Sequence, residues 1–452
     1  MPVPHEPTRR LFLRRSALAL GGLCAASALP GPLASLAQAR KPRGLDYGPL
    51  APVADANTGL PLLELPAGFT YTTFGWAGDP LPGGAATPPA QDGMGVVRAR
   101  NNRLWLVRNH ELPFAGSSFG PPALTYDASA TGGTTVLEFD PRRGRFLGAR
   151  IGLAGTRQNC AGGVTPWGSW LTCEENVEPL AESHGWVFEV PAIGAARPEP
   201  LRALGRFVHE AAAVDPRTGI VYETEDRGTS GFYRMIPMVR GKLTRGGRLQ
   251  MLAVAGQPQA DLRGAVGAGV RFPVTWVDID DPERAHSPGT TDTLGVFSQG
   301  FAAGGAVFRR LEGCGYGNRE LWFTATSGGA AGRGQVWAYS PRWEQLRCVY
   351  ESPSAEVMNN PDNLAFSPRG SLLLCEDGSR VGQYLLGVTP QGDVFPFARN
   401  AVVLNGQVNG WRGDFRGSEW AGATFWRRWL FVNVYLPGFT AAITGPWKRG
   451  AL

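Results

Sequence analysis

The sequence predicts an all-β protein, a β-propeller best counted as six-bladed, on three observations. Its 62 Gly and 37 Pro make up more than a fifth of 452 residues, against roughly 12 % in average usage. Hydrophobic residues reach 43 % while charged residues stay at 18 %, so a large core is available and disorder is excluded. A hairpin pattern recurs six times, and repetition of short strands is what propellers require.

Taken in chain order, residues 1–39 read as an export signal. Thr8 to Leu13 (TRRLFL) fits the twin-arginine pattern, Ala17 to Leu29 is apolar but too short to span a bilayer, and Ala37-Gln38-Ala39 forms a cleavage site. Twin-arginine export carries folded protein, which places the mature chain in the periplasm or outside the cell, with no stable membrane insertion. Residues 40–60 read as an extended leader, and the segment from Ala67 (AGFTYTTFGWAG) offers a closing strand for the C-terminal end, so residues 40–452 form a single propeller domain.

The six hairpins open at Asp92 (DGMGVVRARNNRLWLVRNHE), Asn159 (NCAGGVTPWGSWLTCEEN), His209 (HEAAAVDPRTGIVYETEDR), Leu311 (LEGCGYGNRELWFTATSGG), Pro361 (PDNLAFSPRGSLLLCEDG) and Ser418 (SEWAGATFWRRWLFVNVY). Each joins two apolar strands through a short turn. Outer strands such as Gly185 to Pro191 and Gly334 to Pro341 would complete the blades. The long spacing between the third and fourth repeats marks residues 243–301 as an insertion.

The formal charge of +6 does not indicate nucleic acid. Four Arg and one Glu of the signal account for half of it, and no basic stripe remains. Of six Cys, Cys24 lies in the signal; the other five, Cys160, Cys173, Cys314, Cys348 and Cys375, cannot all pair and form no C-x-x-C zinc motif.

In a propeller the first strand of each blade lines the channel, so residues opening the repeats converge at one mouth: Asp92, Cys160, Glu210, Glu312, Asp362 or Asn363, and Glu419. The ends of the second strands add Asn109 and Glu111, Glu174 and Glu175, Glu225 and Asp226, Glu376 and Asp377, and Asn433. Converging carboxylates repel unless cations lie among them. Oxygen donors suit Ca²⁺, whereas the Cys160 sulfur calls for a more Lewis-acidic partner such as iron or zinc.

These same segments resemble the PhoX alkaline phosphatase family. NCAGGVTPWGSWLTCEEN is the most specific of them. The His209-Glu210-Ala211 run, Arg310-Leu311-Glu312, LPAGFTYTTFGW from Leu65, RNHEL from Arg108 and GFTAAITGPW from Gly438 follow in the family's order. The resemblance implies an exported phosphomonoesterase with Fe³⁺ and Ca²⁺ at the channel mouth, acting on small-molecule phosphate esters. Cys160, Glu210 and Glu312 match iron ligands, and Arg310 matches the arginine that holds phosphate. Glu174, Glu175, Glu376, Asp377 and Glu419 fall at acidic positions suited to calcium, and Asn109 is the candidate for the substrate-binding asparagine. The expected nucleophile is a metal-bound oxide or hydroxide, with Arg310 and the ions opposing phosphate charge. A calcium-dependent lactonase or arylesterase, and a non-enzymatic calcium-binding propeller, are the alternatives. Closure of the sheets predicts a monomer.

Overall fold

Each hairpin forms because alternating apolar residues meet a turn that reverses the chain. Between strands Gln91–Arg100 and Arg103–His110, Asn101 and Asn102 take φ of 49° and 57°, and between Leu311–Gly317 and Glu320–Ala325, Asn318 and Arg319 take 53° and 65°. Two consecutive left-handed residues make the turn whose twist matches the flanking strands, and Asn tolerates that region best among side-chain-bearing residues. The computed structural model describes residues 44–285 and 295–452. The export signal of residues 1–39 lies outside them.

The regular structure of the described residues is almost wholly antiparallel β, in six units besides a short hairpin of Val403–Asn405 and Arg412–Asp414. The first orders Gln91–Arg100, Arg103–His110, Gly132–Asp140 and Arg145–Thr156; the second holds Asn159–Val164, Ser169–Glu174 and Val187–Pro191. His209–Val214, Val221–Glu225, Phe232–Pro237 and Gly247–Val254 make the third, and Leu311–Gly317, Glu320–Ala325, Gln335–Ser340 and Gln345–Glu351 the fourth. Within the 243–301 stretch, Gly247–Val254 is the outer strand of the third unit. Arg271–Asp278 pairs with it on one side and with Gln345–Glu351 on the other, merging two units into a nine-stranded sheet.

The fifth unit, Pro361–Phe366 through Leu372–Glu376, Tyr384–Val388 and Val394–Asn400, is extended by Leu63–Pro66 and Leu50–Val53. The sixth comprises Trp420–Trp426, Trp429–Val434 and Phe439–Thr444, and is completed by Thr70–Phe74 with Phe74 opposite Thr440. The expected closing strand therefore forms, and it ties the start of the domain to its end.

The opening strand of each unit packs on that of the next, and the sixth returns to the first, which makes the fold propeller-like. Glycine permits this ring. A methyl group on Gly163 would strike the Ala212 carbonyl, and one on Gly422 would lie 2.5 Å from the Asp92 carbonyl oxygen. Between units the core is aromatic: Phe74, Phe139 and Phe431 join the sixth unit to the first, and Tyr222, Phe232, Phe323 and Trp337 join the third to the fourth. The helix Val296–Ala302 adds Val296 and Phe297 to the core of the third unit. No described helix is long and apolar enough to cross a membrane.

Candidate metal centre

A β-bulge interrupts every opening strand near its start. Register slips between Gln91 and Met94, Asn159 and Gly162, His209 and Ala212, Leu311 and Cys314, Pro361 and Leu364, and Ala421 and Thr424. A bulge leaves one residue unpaired and re-aims its side chain. The bulged positions in the first five units are Asp92, Cys160, Glu210, Glu312 and Asp362, the residues expected at the mouth. The sixth has Gly422 there, which vacates that position, and Glu419 comes instead from the segment before the strand.

The second strands resolve the acidic pairs by alternation, because neighbouring residues in a strand face opposite sides. The first member of each pair turns into the sheet. Glu174 accepts the N–H of Arg157 (2.8 Å), Gly185 (2.9 Å) and Trp186 (3.1 Å) and contacts His184 Nδ1 at 2.8 Å. Glu225 accepts from Gly231 and from the Tyr233 hydroxyl, and burial pushes its carboxyl up to about 7. Glu376 accepts the N–H of Asn359 (2.8 Å) and Tyr384 (3.1 Å) and lies 3.6 Å from Arg380. Glu174 and Glu376 thus depart from the role expected from sequence: main-chain donors already use their oxygens. Their neighbours Glu175 and Asp377 occupy the axial side, with Glu111 and Asp226 at the equivalent positions.

Donor atoms lie within 4.8 Å of one another in three adjoining triads: Asp92, Glu111 and Cys160; Cys160, Glu175 and Glu210; Glu210, Glu312 and Asp362. Cys160 and Glu210 each belong to two. Burial raises the carboxyls of Asp92, Glu210 and Glu312 well above the ordinary range, and the neighbouring carboxylates add to it. Glu419 is raised for the same reasons, by Asp377 and Asp92 among others, so both Glu419 and Asp377 stand in the field of the cluster although neither belongs to a triad. Burial and these acids also push the Cys160 thiol up.

Both oxygens of Glu210, and Oδ1 of Asp92, are buried without a hydrogen-bond partner. Buried orphaned carboxylate oxygens are costly unless a cation satisfies them. Mixed carboxylate and thiol donors at these spacings fit cations bridging between triads.

Arg310 stands over this cluster in a left-handed conformation, φ 48°, a strained state that persists where surroundings over-determine it. Its N–H donates to Arg227 O at 2.7 Å, and its carbonyl accepts from Thr326 at 2.8 Å. The guanidinium donates from Nε to Asp226 Oδ1 at 3.0 Å, and from Nη2 to Asp226 Oδ2 at 3.1 Å and Glu312 Oε1 at 2.8 Å. Nη1 is outside these bonds. Asp226 and Glu312 hold the group cationic against the effect of burial.

Asn109 is placed differently from its expected role. It is fully buried; Nδ2 donates to the carbonyls of Cys160 (3.0 Å) and Ala161 (2.7 Å), and Oδ1 accepts from Trp170 Nε1 (3.0 Å) and Thr172 Oγ1 (2.9 Å). Those bonds use its donors and acceptor, and its contact with the site is through the Cys160 main chain. Sequence reasoning put Asp92, Glu111, Asp226 and Asp362 at the mouth without assigning them roles, and Tyr435 was missed. Tyr435 follows the sixth second strand as Glu111 follows the first, and its hydroxyl donates to Glu111 O at 3.3 Å. An aromatic directly after that strand, two positions beyond its polar Asn433, was the available signal.

The sequence matches the family described as Alkaline phosphatase PhoX over residues 45–152 and 146–438. No curated protein sequence matches it. Among solved structures, the chain is similar to Pseudomonas fluorescens PhoX in complex with vanadate, a transition state analogue, at 18 % identity and TM-score 0.64, covering 91 % of this chain and 99 % of that one. The gluconolactonase XC5397 of Xanthomonas campestris is more distant, at 13 % identity and TM-score 0.37, with 88 % and 98 % covered.

Proposed function

The chain belongs to the PhoX alkaline phosphatase family, and from that premise we propose that it hydrolyses phosphate monoesters at the channel mouth, with Cys160, Glu210 and Glu312 holding Fe³⁺ and the outer carboxylates holding Ca²⁺. The observation that carries the reading is the three shared triads with orphaned Glu210 oxygens, set beside an arginine already clamped by two carboxylates. Thiol and carboxylate together favour iron over calcium at Cys160, and the all-oxygen side where Glu419 faces Asp377, Asp92 and Asp362 favours calcium.

When bound, such ions supply positive charge and acidify water to a nucleophile at neutral to alkaline pH. The chain's own part is positional. Arg310, fixed through Nε and Nη2, presents Nη1 to a phosphate oxygen and opposes the charge that develops in transfer. Asp226 sets its plane. Tyr435 keeps its proton at alkaline pH, because burial and the adjacent Glu111, Asp92 and Glu419 raise the phenol, and so remains a donor at the rim. Twin-arginine export of the folded, metal-loaded chain to the periplasm or beyond is supported by Thr8 to Leu13, and a monomer by the closed ring of strands.

The test is hydrolysis of p-nitrophenyl phosphate by protein purified without chelator, with elemental analysis of the same sample. Turnover with iron and calcium present is the expected result. Active protein that contains no iron overturns the iron assignment, and metal-loaded protein without turnover overturns the phosphatase reading. Export is tested by replacing Arg9 and Arg10 with Lys, which should retain the protein in the cytoplasm.

A further inference from the structure

Two residues before the axial position of each second strand stands a small, polar or sulfur-bearing side chain: Asn109, Cys173, Thr224, Thr324, Cys375 and Asn433. All six are fully buried, and the two-residue spacing puts them on the axial face of their strands. Four of them cross to the main chain of the next unit around the ring, at the bulged ligand itself. Asn109 Nδ2 donates to Cys160 O at 3.0 Å, Thr224 Oγ1 to Glu312 O at 2.6 Å, Thr324 Oγ1 to Asp362 O at 2.7 Å, and Asn433 Nδ2 to Asp92 O. Cys375 meets the main chain of Ala423, beside the bulge of the sixth unit.

The bulge explains why this bond is needed. It aims the ligand at the axis by removing that residue from the ladder, which leaves its carbonyl without a partner in its own sheet, deep in the ring. A buried carbonyl must be satisfied from elsewhere. The preceding unit supplies the donor, so the bond that satisfies the carbonyl also fixes the bulge and the direction of the ligand side chain.

We propose that Asn109, Thr224, Thr324 and Asn433 are positioning residues for the metal centre, each locking the ligand-bearing bulge of the following unit so that Cys160, Glu312, Asp362 and Asp92, carried on four separate hairpins, stay within bonding range of shared ions. The assignment rests on the metal-centre reading above. It makes the geometry of the centre a property of neighbouring units: the bulges of Cys160, Glu312, Asp362 and Asp92 are each held from the preceding unit.

Thr324 gives the cleanest test, because among the described residues Asp362 O is the single partner of its side chain. In the metal-loaded full chain, Thr324→Val keeps the shape and removes the donor, and Thr324→Ser restores it. The readouts are the EDTA concentration that strips half the bound metal, and the melting temperature of the fully stripped protein. Groups that orient metal ligands typically change affinity by about 10- to 100-fold, so the valine variant should lose its ions at EDTA concentrations lower by that factor, with serine returning to the parent value. Thr224→Val should repeat the effect at Glu312 and, because Thr224 Oγ1 also bonds the Ala211 main chain, at the Glu210 bulge, and it stands in if the first variant does not fold. Valine variants that hold metal as tightly as the parent overturn the proposal, as does a loss of melting temperature with no change in EDTA sensitivity. A parent protein that carries no metal refutes the underlying metal reading instead, and is seen before any variant is compared.

Discussion

Asp226→Asn isolates the clamp on Arg310. In the structure Asp226 receives two nearly parallel N–H bonds, at 3.0 and 3.1 Å, with its side chain 9 % exposed and that of Arg310 39 % exposed. An amide keeps one acceptor oxygen, sets its NH₂ against the other donor and removes the negative charge. Hydrogen bonds to charged groups contribute about 1.5–3 kcal/mol, and the exposure of Arg310 reduces this to roughly 1–2 kcal/mol. At about 1.4 kcal/mol per decade, kcat/KM for p-nitrophenyl phosphate should fall roughly 5- to 30-fold, with metal content unchanged. The diagnostic is a double-mutant cycle with Arg310→Ala. If Asp226 acts through Arg310, adding Asp226→Asn to the alanine variant costs nothing further. Additive losses in the cycle, or loss of bound calcium from Asp226→Asn alone, would refute the reasoning and make Asp226 a ligand.

Other expectations follow from the same geometry. Cys160→Ala should lose iron and any thiolate-to-iron absorption in the visible spectrum while retaining calcium by elemental analysis, and should lower kcat/KM by more than the ~100-fold upper range of orienting groups. Gly163→Ala places a methyl far inside the 3.0 Å closest approach to the Ala212 main chain. Overpacking of this kind costs about 1–3 kcal/mol, and because the atoms struck are backbone that cannot rotate aside the upper value applies; with ~2 cal/mol/K of unfolding entropy per residue, calorimetry should show Tm lower by about 4 °C. His184 contacts Glu174 Oε1 at 2.8 Å and Asp127 Oδ2 at 3.3 Å, and although burial pulls its pKa down, these acids hold it above the ordinary value. Its contribution is therefore complete below the unfolded pKa of about 6.5 and is lost as pH rises through the higher folded value. Tm should fall on raising pH from about 6 to about 9, and His184→Gln should flatten that slope.

The hairpins, the closing strand and the gathering of acids at one mouth were legible in the sequence because they depend on local alternation and on turns such as Asn101-Asn102. The functions of individual acids were not. Glu174 and Glu175 are adjacent and identical, yet one caps the loop at Gly185 and Trp186 while the other belongs to a triad with Cys160 and Glu210. Asn109 resembled a substrate ligand in sequence, and its partners prove to be main chain and side chains of the next unit.

What the sequence determined by itself was therefore the repeat and the end of the repeat at which chemistry gathers, since both are written within each hairpin of about twenty residues. Tertiary structure decided which atoms meet. A bulge adds one residue to each opening strand and thereby changes which neighbour faces the axis, and Asp92, Cys160, Glu210, Glu312 and Asp362 come within reach only when the opening strands of successive units pack side by side. Distances of a few ångströms between residues as far apart in sequence as Glu210 and Asp362 are fixed by the packing of one unit on the next and by bonds such as Thr324 to Asp362 O, and no periodicity within one strand can encode them.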